Sequence, residues 1–234
     1  MGCVARRDEL AAAVAATELR ISAAAQAAGR DRSDLTVVAV SKTWPAADVL
    51  LLASLGLCDF GENRAQEGVR KAAEVAAAGV GVRWHFVGRL QRNKCRPVAG
   101  FATLVHSVDR AELVAGLAAA VRPDRVLDVL LQVSLDGDPG RGGAVAREIP
   151  RLADAVAAAP SLRLRGVMAV APQGAPARPA FARLRATAEA LRRDHPGAVI
   201  VSAGMSEDFA DAVAEGATHL RIGSALFGKR PAVP

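Results

Sequence analysis

The chain has 234 residues, 30 lysines and arginines against 24 acids, a formal charge of +6 and no tyrosine. Half of it is apolar, which excludes disorder and suits one sizeable domain, and 3% aromatics leave an aliphatic core rich in alanine. A pI near 10 invites nucleic acid, but the arginines are dispersed and aromatics for base stacking are scarce, so that partner is not expected. No apolar run reaches the ~18–20 residues of a membrane span, and the start carries neither a secretory nor a myristoylation pattern. Cys3, Cys58 and Cys95 are odd in number and lack C-x-x-C spacing, which points to reduced thiols in a cytoplasmic protein.

In chain order, an alanine-rich amphipathic helix is expected over Ala5–Ala28, stopped by Gly29. Strand-length apolar runs follow at Thr36–Ser41, Leu57–Glu62, Val82–Gly88, Thr103–Val108, Val126–Leu135, Leu162–Val170, Val199–Met205 and His219–Leu226. Helical patterns separate them at Ala46–Leu55, Arg64–Ala78, Leu90–Ala99, Ala111–Val121, Ala144–Ala158, Phe181–Asp194 and Glu207–Glu215, and Pro172–Pro179 reads as a surface loop. Strands apolar on both faces, such as Val37-Val38-Ala39-Val40, imply a parallel sheet covered by helices. Eight strands close a barrel; an open sheet of six or seven is the alternative. The expected architecture is one (β/α)8 TIM barrel over residues 1–234, with residues 1–30 as an extra helix packed on it.

Chemistry in such a barrel sits at the C-terminal strand ends, and the last two loops commonly hold a phosphate. Strand one ends at Ser41-Lys42, strand two at Gly61-Glu62-Asn63, strand seven at Ser202-Ala203-Gly204-Met205-Ser206 and strand eight at Arg221-Ile222-Gly223-Ser224. Lys42 shares two-residue phase with Val38 and Val40, which aims it at the mouth from an inward column. An apolar wall lowers a lysine's pKa and frees an amine able to form a Schiff base. Only four lysines occur (Lys42, Lys71, Lys94, Lys229), so one retained at a strand end stands out, although a solvated lysine is the plain alternative. Gly204 and Gly223 let backbone approach a phosphate, and Ser202, Ser206 and Ser224 offer hydroxyls. Ser206 is equally readable as a helix N-cap before Glu207-Asp208. Arg221 is free to face the phosphate or a ring nitrogen.

The stretches Val38–Thr43, Asp59–Asn63 and Trp84–Lys94, followed by His106–Asp109, Gly204–Ser206 and Arg221–Gly228, closely resemble the pyridoxal phosphate homeostasis protein family in the same order. The resemblance spans nearly everything from residue 35. It implies a barrel of the alanine racemase N-terminal-domain type that binds pyridoxal 5′-phosphate (PLP), buffers and delivers it, and has no established turnover. Carried over by position, Lys42 would hold PLP as an internal aldimine. Gly223 and Ser224 would bind the phosphate, helped by Ser202 or Ser206; Arg221 would approach the pyridine nitrogen, and Asn63 would border the ring. Implied partners are PLP and PLP-dependent apo-enzymes, and a monomer is expected. Arg64-Ala65 stands where the family usually has Tyr-Val, Ala203 replaces a methionine, and Arg141 replaces a lysine. Trp84, His85, Gln91 and Lys94 remain open between packing and function.

The rival is a PLP-dependent amino-acid racemase, which needs a second acid–base opposite Lys42. Alanine racemases take a tyrosine for this from a further domain of the partner subunit. The chain has no tyrosine, and His106 or Cys58 as substitutes have no support in spacing. An aldolase-like barrel using Lys42 on a sugar phosphate fits the fold and not the motifs.

Overall fold

The computed structural model describes residues 2–138 and 140–228, with the side chain of Cys3 outside the described set; Lys229 lies outside it too. The strands are β1 (Thr36–Val40), β2 (Asp59–Glu62), β3 (Arg83–Phe86), β4 (Leu104–Val108), β5 (Leu127–Gln132), β6 (Leu162–Met168), β7 (Ile200–Ser202) and β8 (His219–Ile222). All pair in parallel with their sequence neighbours, and β8 pairs with β1 to close the barrel. The open-sheet alternative is thereby excluded.

Helices α1 (Gly2–Ala27), α2 (Ala46–Ser54), α3 (Ala65–Ala77), α4 (Cys95–Phe101), α5 (Ala111–Ala118), α6 (Ile149–Ala157), α7 (Ala177–Asp194), α8 (Phe209–Ala214) and α9 (Ser224–Phe227) surround it. Most elements sit inside their sequence-expected spans. Helix α7 begins earlier, inside the expected Pro172–Pro179 loop, because Pro179 falls in its first turn, where a missing N–H costs nothing.

One element changes type. The apolar run expected to carry β8 to Leu226 leaves the sheet at Gly223, and Ser224–Phe227 becomes the single turn α9, burying Leu226 and Phe227. A short apolar run has no period that separates strand from buried helix.

Such a short final helix leaves the seam beside β8 and β1 uncovered, and α1 fills it. Leu10, Ile21 and Ala25 bury one face of α1, while Thr17 Oγ1 donates to Ala225 O and Arg20 Nη2 to Ser206 O. Arg6 bonds Asp48 of α2 and Phe227 O. The helix ends in a Schellman motif: Gly29 has φ +65°, Arg30 N–H bonds Ala25 O and Gly29 N–H bonds Gln26 O. The N-terminal helix thus braces both loops that follow β7 and β8.

Inside the barrel, Leu104, Leu130, Met168 and Ile200 form an apolar cluster on β4–β7. The interior also carries polar groups, with His85, His106, Ser202 and Arg221 all buried. No helix among the described residues is long and apolar enough to cross a membrane.

Candidate functional site

Register places the sequence-selected residues together. Val38 pairs with Arg221, Ala39 with Ile222 and Val40 with Gly61. Lys42 is therefore two residues past Val40, Asn63 two past Gly61 and Gly223 one past Ile222, at the C-terminal ends of three adjacent strands. A Cβ on Gly61 would meet Val38 Cγ1 at 3.2 Å and Val40 Cγ2 at 3.4 Å, so these residues share one face of the wall. Lys42 is partly buried.

The turn carrying Lys42 is held from beneath by groups that sequence reasoning did not select. Trp44 N–H bonds Ser41 O at 3.0 Å, and Thr43 sits at φ +70°. A β-branched residue there is strained by roughly 1–3 kcal/mol. Glu67 Oε1 offsets this by accepting Thr43 N–H at 2.6 Å. Lys71, 1% exposed, donates from Nζ to Ser41 O at 2.7 Å, Glu62 Oε1 at 2.5 Å and Glu67 Oε1 at 3.0 Å. Ser41 Oγ donates to the same Glu62 oxygen at 2.5 Å. Burial pushes the Glu62 carboxyl above its ordinary value, against the pull of Lys71 and the Ser41 hydroxyl. The Glu67–Lys71 spacing of four was the available signal; burial on the barrel-facing side of α3 was not legible.

Arg221 is buried, donating from Nη1 to Ser202 Oγ at 2.7 Å and from Nη2 to Ala169 O at 2.8 Å. Burial lowers its pKa to about 10, which leaves it a cation at neutral pH. Ser202, fully buried, also faces His106 Nδ1 at 2.9 Å. Its hydroxyl is engaged with these two side chains, so Ser202 reaches the mouth through Arg221.

The two glycines differ. Gly204 has φ +87°, and a Cβ there would fall 2.7 Å from Ala212 Cβ and 2.8 Å from Phe209 Cα, so packing against α8 requires it. At Gly223 φ is −116° and a Cβ would meet nothing nearer than Val40 O at 3.6 Å. Neither backbone conformation nor protein packing demands glycine at 223, which leaves open ground above the first turn of α9. Ser206 Oγ accepts Ala225 N–H at 3.3 Å, so the loop after β7 converges on that turn, with Ser224 exposed on it. An amine at Lys42, open backbone at Gly223 and a buried cation at Arg221 fit an aldehyde-bearing phosphate ester.

Asn63 is partly buried, and its backbone lies so close to β3's end that a Cβ on Gly88 would fall 2.2 Å from Asn63 O. Trp84 belongs to the outer layer, its ring 6.0 Å from Phe60 and 6.4 Å from Phe101. His85 is inside the barrel, bonded to His106 at 2.9 Å. Gln91 is exposed beside the turn Arg92–Lys94. Arg64 is exposed at the start of α3, whereas Arg141 is tied into its surroundings, donating to Ala171 O at 2.5 Å. Neither substitute base for a racemase reaches the mouth: His106 is fully buried between His85 and Ser202, and Cys58 is exposed before β2, at the opposite pole.

Comparison with known proteins agrees with this geometry. The family described as alanine racemase, N-terminal domain, matches residues 14–231. Curated relatives described as pyridoxal phosphate homeostasis proteins include one from Pseudomonas aeruginosa, 45% identical over 93% of this chain and 94% of that one, and one from Mycobacterium leprae, 42% identical over 95% and 93%. PipY of Synechococcus elongatus, solved with PLP bound, is 33% identical over 94% of this chain and all of that one, with a TM-score of 0.79. Alanine racemase of Corynebacterium glutamicum shares the fold alone, at 17% identity and a TM-score of 0.71 over 63% of its length. The chain belongs to the pyridoxal phosphate homeostasis protein family, built on a barrel of the alanine racemase N-terminal-domain type.

Proposed function

We propose that this protein binds PLP at the ends of β8, β1 and β2 and serves as its carrier and buffer. The observation that carries the reading is the convergence of Lys42, Gly223-Ser224 and Arg221 on two paired strands, β1 and β8. When bound, PLP supplies an aldehyde that condenses reversibly with a primary amine. Lys42 provides that amine, held on a turn braced by Lys71 and Glu67. Gly223 and Ser224 present backbone N–H groups and a hydroxyl to the phosphate, with Ser206 alongside. Arg221 faces the ring nitrogen as a cation that keeps its own protons, so the nitrogen is not protonated by it and the ring is a weak electron sink. Asn63 borders the ring. PLP-dependent apo-enzymes are the recipients, and the protein acts as a cytoplasmic monomer.

The test is direct. Borohydride reduction of the PLP-loaded protein, followed by peptide mass mapping, is expected to place the added mass on Lys42. Labelling confined to another lysine would end the proposal. Incubation with D- or L-alanine is expected to give no racemisation above a Lys42→Ala control, because no tyrosine exists to serve the second face. Measurable turnover would favour the racemase.

The phosphate cradle has its own prediction. Gly223→Ala fits the protein, since its Cβ contacts begin at 3.6 Å, so the melting temperature is expected to stay put. PLP affinity is expected to fall by about tenfold, roughly 1.4 kcal/mol, from a methyl group set against the phosphate. Equilibrium dialysis showing unchanged affinity would move the phosphate elsewhere.

A further inference from the structure

A file of buried polar groups crosses the barrel interior. It begins at the N-terminal pole with Asp59, which opens β2 and is paired with the exposed Arg83 at the start of β3, and ends at Arg221 near the C-terminal end of β8. Arg83 Nε and Nη2 donate to Asp59 Oδ1 and Oδ2 at 2.6 and 2.5 Å. Asp59 Oδ1 then meets His85 Nε2 at 2.9 Å, His85 Nδ1 meets His106 Nε2 at 2.9 Å, and His106 Nδ1 meets Ser202 Oγ at 2.9 Å. Ser202 Oγ finally accepts Arg221 Nη1–H at 2.7 Å.

Both ends of this file have only one possible role. Arg221 donates and never accepts. Asp59 is ionised: burial raises its pKa, but hydrogen bonds from His85 and Arg83 outweigh that and hold it at about 2. Burial, before any other cause, pushes His106 well below its ordinary value, so that ring carries a single proton. With a carboxylate at one end, a His85 ring carrying one proton holds it on Nε2. Its bare Nδ1 then accepts from His106 Nε2–H, whose bare Nδ1 accepts from the Ser202 hydroxyl. Every donor in the file points from Arg221 towards Asp59. Only a doubly protonated His85 would turn the imidazole links around.

We propose that Asp59, His85, His106 and Ser202 are positioning residues, a one-directional hydrogen-bond file that orients Arg221 and relays the ionised state of Asp59 to it from the opposite pole of the barrel. Each link polarises the next in a low-dielectric interior, so the carboxylate's charge is felt at the guanidinium without direct contact. The last step, from Arg221 to the cofactor ring, rests on the PLP reading; the file itself does not.

The experiment separates the two. In the 15N-labelled PLP-free protein, NMR is expected to find the proton on His106 Nε2, with scalar coupling across the hydrogen bond to an unprotonated His85 Nδ1. A proton on His85 Nδ1 instead, or no coupling, would overturn the file. Asp59→Ala is expected to abolish the coupling and shift the Arg221 Nε–H resonance, although the substitution is remote from Arg221. An unmoved Arg221 signal would refute the relay. Should Asp59→Ala fail to fold, Ser202→Ala cuts the file at its other end, and is expected to shift the ring-nitrogen resonances of both His106 and His85; an unchanged His85 would refute the relay equally. In the loaded protein, both variants are expected to shift the visible absorption band. An unshifted band with the coupling intact in the parent would confine the relay to Arg221 and overturn its last step. Failure to load PLP at all would strike the PLP reading and leave the apo result standing.

Discussion

Lys71→Met is expected to cost about 3–5 kcal/mol of stability, because it strips the counter-charge from a carboxylate that has no access to water. Glu62 is fully buried, and its Oε2 has no hydrogen-bond partner among the described residues. The Lys71 ammonium and the Ser41 hydroxyl are what its other oxygen has. Remove Lys71, and Glu62 either stays charged without a cation or takes up a proton; both cost free energy relative to the parent. For a chain of this size the melting temperature is expected to fall by about 10 °C. The site suffers as well. Ser41 O loses its 2.7 Å donor and Glu67 loses the cation beside it, so the strained turn at Thr43 is left with the bonds from Thr43 N–H to Glu67 and from Trp44 N–H to Ser41 O where a wider network held it before. Slower covalent capture of PLP, followed by its visible band, is the expected functional loss. The decisive comparison is Lys71→Met with Glu62→Gln: removing the orphaned charge is expected to restore most of the stability while capture stays slow. If the single variant melts within about 2 °C of the parent, about 1 kcal/mol on this scale, the pair is not structural.

That pair also marks where the sequence stops being readable. Eight apolar runs were legible because helices cover the outer face of a parallel barrel, so even strands of four residues announce themselves. The placement of Lys42, Asn63, Gly223 and Ser224 at one pole was legible because each follows directly on an apolar strand run, and the βα loops of a barrel gather at the C-terminal strand ends. What escaped was anything set by register. Whether Glu62 faces α3 or the barrel interior depends on a one-residue phase, and four residues carry too little alternation to fix it. The same ambiguity hid the partnership of Ser202 with Arg221: two serines near a phosphate loop look alike until β7 and β8 are aligned, when one proves buried under a guanidinium and the other sits by α9. Glycines were equally silent. Gly204 and Gly223 read as a pair in sequence, yet one is demanded by helix packing and the other by nothing in the protein.

Gly88 carries the strongest steric constraint next to the site, and Gly88→Ala is expected to show it. A Cβ there would stand 2.2 Å from Asn63 O and 2.8 Å from Asn63 C and Cα, all backbone atoms with no rotamer to give way. Relief requires the ends of β2 and β3 to separate, and the bond from Val87 N–H to Glu62 O at 2.9 Å lies across that gap. Overpacking of this kind costs about 3 kcal/mol, or about 10 °C in melting temperature. The displaced residue is Asn63, so the variant is expected to release PLP faster even at temperatures where it stays folded. Gly100→Ala supplies the contrast: it lies in α4, is exposed, and its Cβ would touch nothing within 4 Å. There the smaller entropy of an unfolded alanine and its better helix propensity are expected to stabilise by about 0.5–1 kcal/mol with PLP retention unchanged. Opposite signs from one chemical change at two glycines would tie the loss at Gly88 to the closeness of the two strand ends. A Gly88→Ala protein that melts with the parent and keeps PLP equally long would show that the β2–β3 gap opens at no cost and that Asn63 is not placed by it.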